Sequence, residues 1–437
     1  MKGRLPPNLA APQFARLISI SDMDSEAQKV GPVSSADRIL YIDMLRGMAL
    51  FGILAANMRG FDAPSLVYGN IKPLFHGTAD LIAQGFIDIF IQAKFVTLFS
   101  FLFGLGFAVQ LSRAEARGAR FLSFYPRRLA ALALFGLIHG LLIWWGDILL
   151  SYALGGALLL LFRKKSNKVV LSWAVTIFSV PVLVATGFYI PEGMRGKPPD
   201  MVKIHSVIDI YAHGTVMQRL HENLVVWKEE LPAVGFGGYA LGLFLLGLWV
   251  WRSGIVERLN EYKPLLKRVC AVCLPLGLAG MVFVYEAEAH HVPGSKPTFV
   301  VFLARVLYFP FAHVMSAGYA SGLAVLIQND SWKRRFTPFA AVGRMALTNY
   351  LTESVVCTVF YYSTGLYGKV GPAMGLIPTV VLYGAQTVFS NWWLARYRFG
   401  PMEWLWRGMT YGKFPSMRKE EVEAMEIPRT QEAGTVL

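Results

Sequence analysis

The chain has 437 residues, of which 54% are hydrophobic and 16% charged, with a mean hydropathy of +0.44. Soluble domains carry about 25% charged residues, so this composition excludes an ordinary soluble enzyme and predicts an all-α, polytopic integral membrane protein. The net charge of +14 does not imply nucleic-acid binding. A basic balance without a binding motif is a weak cue, and these lysines and arginines crowd the short loops between apolar runs.

Residues 1–35 are polar, contain Pro and Ser, and lack a continuous apolar stretch. They read as a disordered cytoplasmic tail, not a signal peptide. A single transmembrane domain is expected over 36–413, followed by a charged cytoplasmic tail over 414–437. The first apolar helix opens on Ile42-Asp43-Met44-Leu45-Arg46-Gly47 and reaches Asn57. Charges inside a span are costly and tend to be kept for function. Asp43 and Arg46 are three apart and share a face. They pair as a cytosolic anchor, or Arg46 faces a cytosol-open pocket and meets a phosphate-bearing donor. Asn57 lies about three turns further up that face. Its amide needs partners, which helix packing or the oxyanion of a reacting carbonyl would supply.

The segment 78–103 holds one span or two. If 79–93 crossed fully, the basic loop from Arg113 to Arg128 would fall outside. The positive-inside rule therefore favours an interfacial or re-entrant helix over 79–93, where Asp80, Asp88 and Gln92 suit partial burial. Further apolar runs at 129–145, 148–162, 169–190, 236–251, 269–284 and 299–327 are each near the ~20 residues that span a bilayer as a helix. The expected count is about ten transmembrane helices plus the extra one.

His139 lies deep in its span between Gly136 and Gly140. Such glycines let a second backbone or a ligand approach closely. The imidazole is a packing hydrogen-bonder or a general base suited to neutral pH. Asp147 follows eight residues later, on His139's side but not necessarily touching it. The long loop 191–235 is expected to face outward. Apolar residues at 204, 208, 211, 220, 224 and 227 predict one amphipathic helix on the membrane surface. His205, His213 and His221 recur every eight residues, not at the i, i+4 step of a two-ligand metal helix, so no metal is expected. His76, His290 and His291 fall in the other outer loops.

Cys270 and Cys273, one turn apart in an apolar helix, read as packing residues. Arg305 and His313 share one span, with Glu286 ending the previous one. Arg344, Thr348, Asn349, Thr352 and Glu353 form a polar stripe that lines a cavity or a helix interface. The halves of the chain show no similarity with interrupted helices, the pattern of many transporters.

Several motifs resemble the YeiB family of bacterial membrane proteins. They are Arg38-x4-Asp43-x2-Arg46-Gly-x4-Gly52-Ile-x3-Asn57, Lys94-Phe-x2-Leu-Phe-Ser-x-Leu-Phe-Gly104 and His139-Gly-x3-Trp-x-Gly-Asp147-Ile-Leu. Gly343-Arg-Met-Ala-Leu-Thr-Asn349-Tyr-Leu and Gly400-Pro-x-Glu403-Trp-Leu-Trp-Arg407 complete the set. The family is similar to a larger group of transmembrane acyltransferases, which includes the lysosomal heparan-α-glucosaminide N-acetyltransferase and enzymes that O-acetylate envelope glycans. The resemblance implies transfer of an acyl group, acetyl above all, from cytosolic acyl-CoA to an extracytoplasmic acceptor. It implies a place in the bacterial cytoplasmic (inner) membrane and the lipid bilayer as partner. Arg46, Asp43, Arg344, Asn349 and Glu353 would then hold acyl-CoA. His139 would be base or acyl carrier, Asp147 would orient it, and Asn57 would stabilise the oxyanion. The acyltransferase group has a histidine in the loop after its first helix. His76 stands in that loop here at a different spacing, which ranks it below His139. A transporter or flippase for an amphipathic solute is the alternative, and an assembly factor without chemistry the third. Whether the chain works as a homodimer is left open.

Five basic clusters, at 113–128, 163–168, 252–268, 333–335 and 396–398, fall on one side of this topology, with both termini cytoplasmic. Cysteines introduced at positions 120 and 290 should react with a membrane-impermeant maleimide from opposite sides, 290 alone in intact cells. External labelling at 120 would overturn both the topology and the placement of 79–93.

Overall fold

The structure, a computed structural model, describes residues 40–68, 70–188, 198–235, 238–292, 295 and 297–419. The tail expected at 1–35 and most of the one expected at 414–437 lie outside these. The described residues build helices α1 (Leu40–Phe61), α2 (Thr78–Phe86), α3 (Lys94–Ala116), α4 (Tyr125–Ile138) and α5 (Leu149–Leu159). There follow α6 (Asn167–Phe188), α7 (Met201–His213), α8 (Val216–Gly235), α9 (Gly238–Arg252), α10 (Lys263–Ala289) and α11 (Phe299–Leu326). The chain closes with α12 (Asp330–Arg344), α13 (Ala346–Thr364), α14 (Pro372–Arg396) and α15 (Pro401–Tyr411). Among the described residues, six helical stretches are long and apolar enough to cross a membrane: Leu40–Phe61, Thr78–Ala116, Phe121–Ile143, Lys263–Ala289, Phe299–Leu326 and Pro372–Arg396. Leu149–Phe162, Asn167–Val180 and Ala240–Arg252 are shorter apolar helices. The protein is a helical membrane protein.

Helix α1 runs through the interior, as a helix apolar all round must. It packs on α12, α3, α14 and α13, with Met44, Ala49, Leu50 and Leu54 fully buried. Its contact with α12 is backbone on backbone. A Cβ on Gly47 would lie 2.0 Å from the Phe339 carbonyl oxygen, and one on Gly343 would lie 2.0 Å from that of Asp43. Small residues at both crossing points are what close helix approach in a membrane requires. Tyr383 Oη on α14 donates to the Gly47 carbonyl at 2.8 Å. This packing brings Asp43 and Arg46 alongside Arg344.

The stretch 78–116 is one candidate span with a break in it. α2 runs into a widened π turn at Ile87–Ile91, and Ala93 takes φ 67° before α3 begins. The polar side chains of this segment turn inward. Asp88 Oδ1 accepts from Arg59 Nη1 at 2.9 Å and Oδ2 from Gln84 Nε2 at 2.6 Å. Gln92 Oε1 accepts from Arg59 Nη2 at 3.0 Å. Lys94, fully buried, donates to the Asp88 carbonyl at 2.6 Å, and Asp80 Oδ1 accepts from the Ala373 amide at 3.1 Å. Partial burial of these residues is satisfied by protein partners.

Two expectations need correction. The single surface helix expected over 204–227 is two helices, α7 and α8, broken at Gly214. Thr215 Oγ1 accepts from the Gln218 amide at 3.3 Å while Gln218 Oε1 accepts from the Thr215 amide at 2.8 Å. That reciprocal capping box starts α8. The apolar residues face protein: Tyr211 packs on Tyr362 and Tyr367, and Ile204 is fully buried. Second, 414–419 is docked, not a free tail. Phe414 packs on Trp404 with ring centroids 4.5 Å apart, and the Arg398 amide donates to the Met417 carbonyl at 3.0 Å. Arg305 Nε and Nη2 donate to Glu288 Oε1 and Oε2 at 2.5 and 2.8 Å.

The α1–α12 crossing gives a direct test. Gly47→Ala must push the helices apart and should cost about 1–3 kcal/mol, read as a lower Tm in detergent. Gly384→Ala, where a Cβ meets nothing within 4 Å, should stay within about 0.5 kcal/mol of the parent. Equal stability of the two variants would contradict this packing.

Candidate functional site

A buried polar cluster is built where α4 ends. His139 opens a π turn, His139–Ile143, closed by the Trp144 amide donating to the His139 carbonyl at 2.9 Å. Such turns often mark functional positions. Trp144 then takes extended backbone, φ −156° and ψ 131°, and the chain doubles back. Asp147 is thereby set against His139, with Oδ1 3.0 Å from Nδ1. Its Oδ2 accepts from the Leu150 amide at 2.8 Å at the start of α5. The flanking glycines make room for this return. A Cβ on Gly136 would lie 2.8 Å from Asp147 Oδ2, and one on Gly140 would lie 2.6 Å from Trp227 Nε1.

The other ring nitrogen, Nε2, is 2.8 Å from Ser354 Oγ on α13. An ionised carboxylate only accepts, so Asp147 fixes the proton on Nδ1. Nε2 is then the acceptor for the Ser354 hydroxyl. His139 and Ser354 are fully buried and Asp147 is 4% exposed. Tyr350, one turn before Ser354, places its ring 5.0 Å from the imidazole and donates from Oη to the Gly146 carbonyl at 3.2 Å.

A cleft approaches this cluster from the Asp43–Arg46 end. Its empty volume is about 1050 Å³, part of it open solvent. Arg46, Arg128, Arg344 and Arg407 line it together with only two carboxylates, Asp43 and Glu403. Arg46 Nη1 is 3.0 Å from Asp43 Oδ1 and 3.4 Å from the Gly343 carbonyl. The Arg344 Nε is buried without a hydrogen-bond partner among the described residues, and the Arg128 guanidinium stacks 3.5 Å over the Trp406 ring. Glu403 is held elsewhere: it accepts from the Leu347 and Thr348 amides at 2.7 and 3.1 Å and from Thr348 Oγ1 at 2.6 Å. Burial pushes its carboxyl above the usual range, and these donors partly offset the shift. Further in, the walls are Phe99, Phe103, Ile148, Tyr152 and Tyr350. Eleven residues of helix separate Arg128 from His139, about 16 Å at 1.5 Å per residue.

On the far side the cluster is covered by α7 and α8. Asn223 Nδ2 donates to the Ile143 carbonyl at 3.4 Å, Tyr211 Oη donates to Asn223 Oδ1 at 2.8 Å, and Trp227 packs on Gly140.

The residues singled out in the sequence fall into groups. His139 and Asp147 are hydrogen-bonded to each other. Asp43, Arg46 and Arg344 line the cleft. Asn349 does not; it ties α13 to its neighbours, donating to the Val342 carbonyl at 3.2 Å and to Ser390 Oγ at 3.1 Å. Glu353 is buried one turn further on, with Oε1 unpartnered among the described residues. Asn57 is half-buried and makes no hydrogen bond to His139, Asp147 or Ser354, and His76 is exposed ahead of α2. Sequence reasoning missed Ser354, Tyr350, Arg128 and Arg407. Arg407 closes a motif quoted above, and Tyr350 follows Asn349 in another. Ser354 carries no local signature.

The geometry belongs to a chain with relatives of matching length. A family model described as protein of unknown function (DUF418) matches residues 250–413, from the end of α9 through α15. The chain is 37% identical over 410 residues to uncharacterized protein YxaH of Bacillus subtilis (strain 168), covering 89% of this chain and 98% of YxaH. It is 31% identical over 387 residues to uncharacterized protein YeiB of Escherichia coli (strain K12), covering 86% of this chain and 96% of YeiB. No solved structure matches it. End-to-end identity at this level, together with the helical membrane fold, places the chain in the YeiB family.

Proposed function

We propose that the protein is an integral-membrane acyltransferase that takes an acyl group, acetyl first, from cytosolic acyl-CoA and passes it to an extracytoplasmic acceptor. One observation carries this reading: a cleft lined by four arginines ends at a tyrosine whose ring touches a buried, carboxylate-oriented histidine. Guanidinium groups bind phosphates in fixed geometry. The apolar inner walls suit an acyl-bearing arm. In this reading the Arg344 Nε, which lacks a partner among the described residues, meets a donor phosphate. His139 Nε2 takes a proton, and Asp147 steadies the imidazolium that results. Asn349 and Glu353 support α13 behind the cleft.

The arginine end faces the cytosol of a bacterial inner membrane in this reading, and both termini lie there. The six long spans, the three shorter apolar helices and α13 make ten crossings, with 79–93 as a partly inserted entry to α3. The acceptor approaches from the α7–α8 side. The same buried charges would serve a transporter of amphipathic solutes, but such a protein leaves acyl-CoA intact.

Purified protein should bind acetyl-CoA by calorimetry. Arg46→Ala and Arg344→Ala should each weaken binding about tenfold or more, while the exposed Arg335→Ala should not. Absence of binding at millimolar acetyl-CoA would remove the donor assignment.

His139→Gln keeps size and some hydrogen bonding but cannot take up a proton. Acyl transfer normalised to monodisperse protein should fall ~10²-fold or more, with donor binding kept. Asn57→Ala, run beside it, tests whether that amide acts on the oxyanion. Normal turnover in His139→Gln would take His139 out of the mechanism and move its role to His76.

A further inference from the structure

We infer that Ser354 is the nucleophile of this site and carries the acyl group as a covalent ester between donor and acceptor. The inference rests on the acyltransferase reading and goes beyond it, since a histidine base alone is equally served by direct transfer. Three observations carry it. Ser354 Oγ, His139 and Asp147 form a continuous hydrogen-bonded chain at 2.8 and 3.0 Å. That is the order of roles by which an oriented imidazole activates a serine hydroxyl. The tautomer is set for it, because Asp147 claims Nδ1 and leaves Nε2 as acceptor for the hydroxyl proton. The Ser354 hydroxyl also reaches the Tyr350 carbonyl one turn back at 3.3 Å, and the shorter of its two contacts, 2.8 Å, is the one to the imidazole.

The position of the triad supplies the reason for a covalent step. It lies between the arginine cleft, closed off from it by Tyr350, and the α7–α8 cap, which touches the π turn of His139. A phosphate-bearing donor held by the arginines and an acceptor entering under the cap approach from opposite sides. An ester on Ser354 lets each react in turn. Tyr350 borders both the cleft and the imidazole, so rotation of that one side chain joins cleft to triad.

The chemistry balances without any further reactant. Ser354 Oγ attacks the thioester carbonyl carbon. Its proton passes to His139 Nε2, the carbon–sulfur bond breaks, and His139 returns the proton to the departing sulfur as CoA thiol. In the second half, His139 Nε2 takes the proton of the acceptor hydroxyl or amine as that atom attacks the ester carbonyl. Ser354 leaves and regains its proton from His139. The acyl group is transferred, and nothing is oxidised or reduced.

The test uses the full-length protein in detergent with radiolabelled acetyl-CoA and no acceptor, acid-quenched, with peptide mapping by mass spectrometry and a thiol assay. One acetyl group should appear on Ser354 together with a burst of CoA thiol close to one per protein. Ser354→Ala should keep acetyl-CoA binding, lose label and burst, and lose turnover by on the order of 10⁶-fold. Ser354→Cys should regain a burst and carry the acetyl group as a thioester. A packing role for the serine predicts the reverse: lower Tm in Ser354→Ala, with burst and turnover per folded molecule unchanged. Normal turnover in Ser354→Ala, or label on His139 that persists in that variant, overturns this inference and leaves the acyltransferase reading standing. Failure of the parent protein to bind or consume acetyl-CoA overturns that reading, and this inference with it.

Discussion

The hydrogen bond between Asp147 and His139 is the constraint on which the rest of the site depends. A carboxylate and an imidazole buried in a membrane domain are expensive unless each satisfies the other. Bringing them together required a π turn, extended backbone at Trp144, a tight turn in which the Asp147 amide donates to the Trp145 carbonyl, and two glycines that yield space. Once made, the bond fixes the imidazole's tautomer and points its free nitrogen at α13. The site is therefore a product of backbone geometry in α4 and α5 as much as of side-chain identity. The same holds at the other end of the cleft, where Gly47 and Gly343 let α1 and α12 meet backbone to backbone and so put Arg46 beside Arg344.

Electrostatics divide the interior into two kinds of charge. One kind is neutralised within the fold. Arg59, Asp88, Gln92 and Gln84 are hydrogen-bonded to one another at the break before α3, and Glu403 is held by the first amides of α13. These groups shape helices. The other kind is in excess: four guanidinium groups share a cleft with two carboxylates, one of which, Glu403, is already committed to α13. An excess of cation in a concave, partly apolar cleft attracts anions, and the proposed donor site rests on this asymmetry.

Much of this was legible in the sequence, and the limits have physical causes. Asp43 and Arg46 were readable as a pair because i, i+3 geometry in a straight helix needs no tertiary knowledge. His139 and Asp147 were readable as candidates, but eight residues of regular helix would not bring them into contact; the π turn that does so has no sequence signature here. Ser354 was invisible. It is 215 residues from His139, on a helix, without the glycine-flanked elbow that marks many serine nucleophiles. The polar stripe was seen, yet Arg344 ends α12 while the others lie on α13, and their partners differ because one residue step turns a side chain by about 100°: Thr348 meets Glu403 and the adjacent Asn349 meets Ser390 on α14. The division between α7 and α8 could have been found. Thr215-x-x-Gln218 is a capping box, and the apolar periodicity around it outweighed that signal.

The central claim is that donor cleft and triad are parts of one site. Its most direct test is a structure of the protein with a non-hydrolysable thioether analogue of acetyl-CoA. The account predicts phosphates among Arg46, Arg128, Arg344 and Arg407, the Tyr350 ring displaced, and the thioether end within contact of Ser354 and His139. An analogue bound elsewhere, such as the cleft between the ends of α10 and α11 beside His290 and His291, or bound with its thioether pointing away from an undisturbed Tyr350, would contradict it.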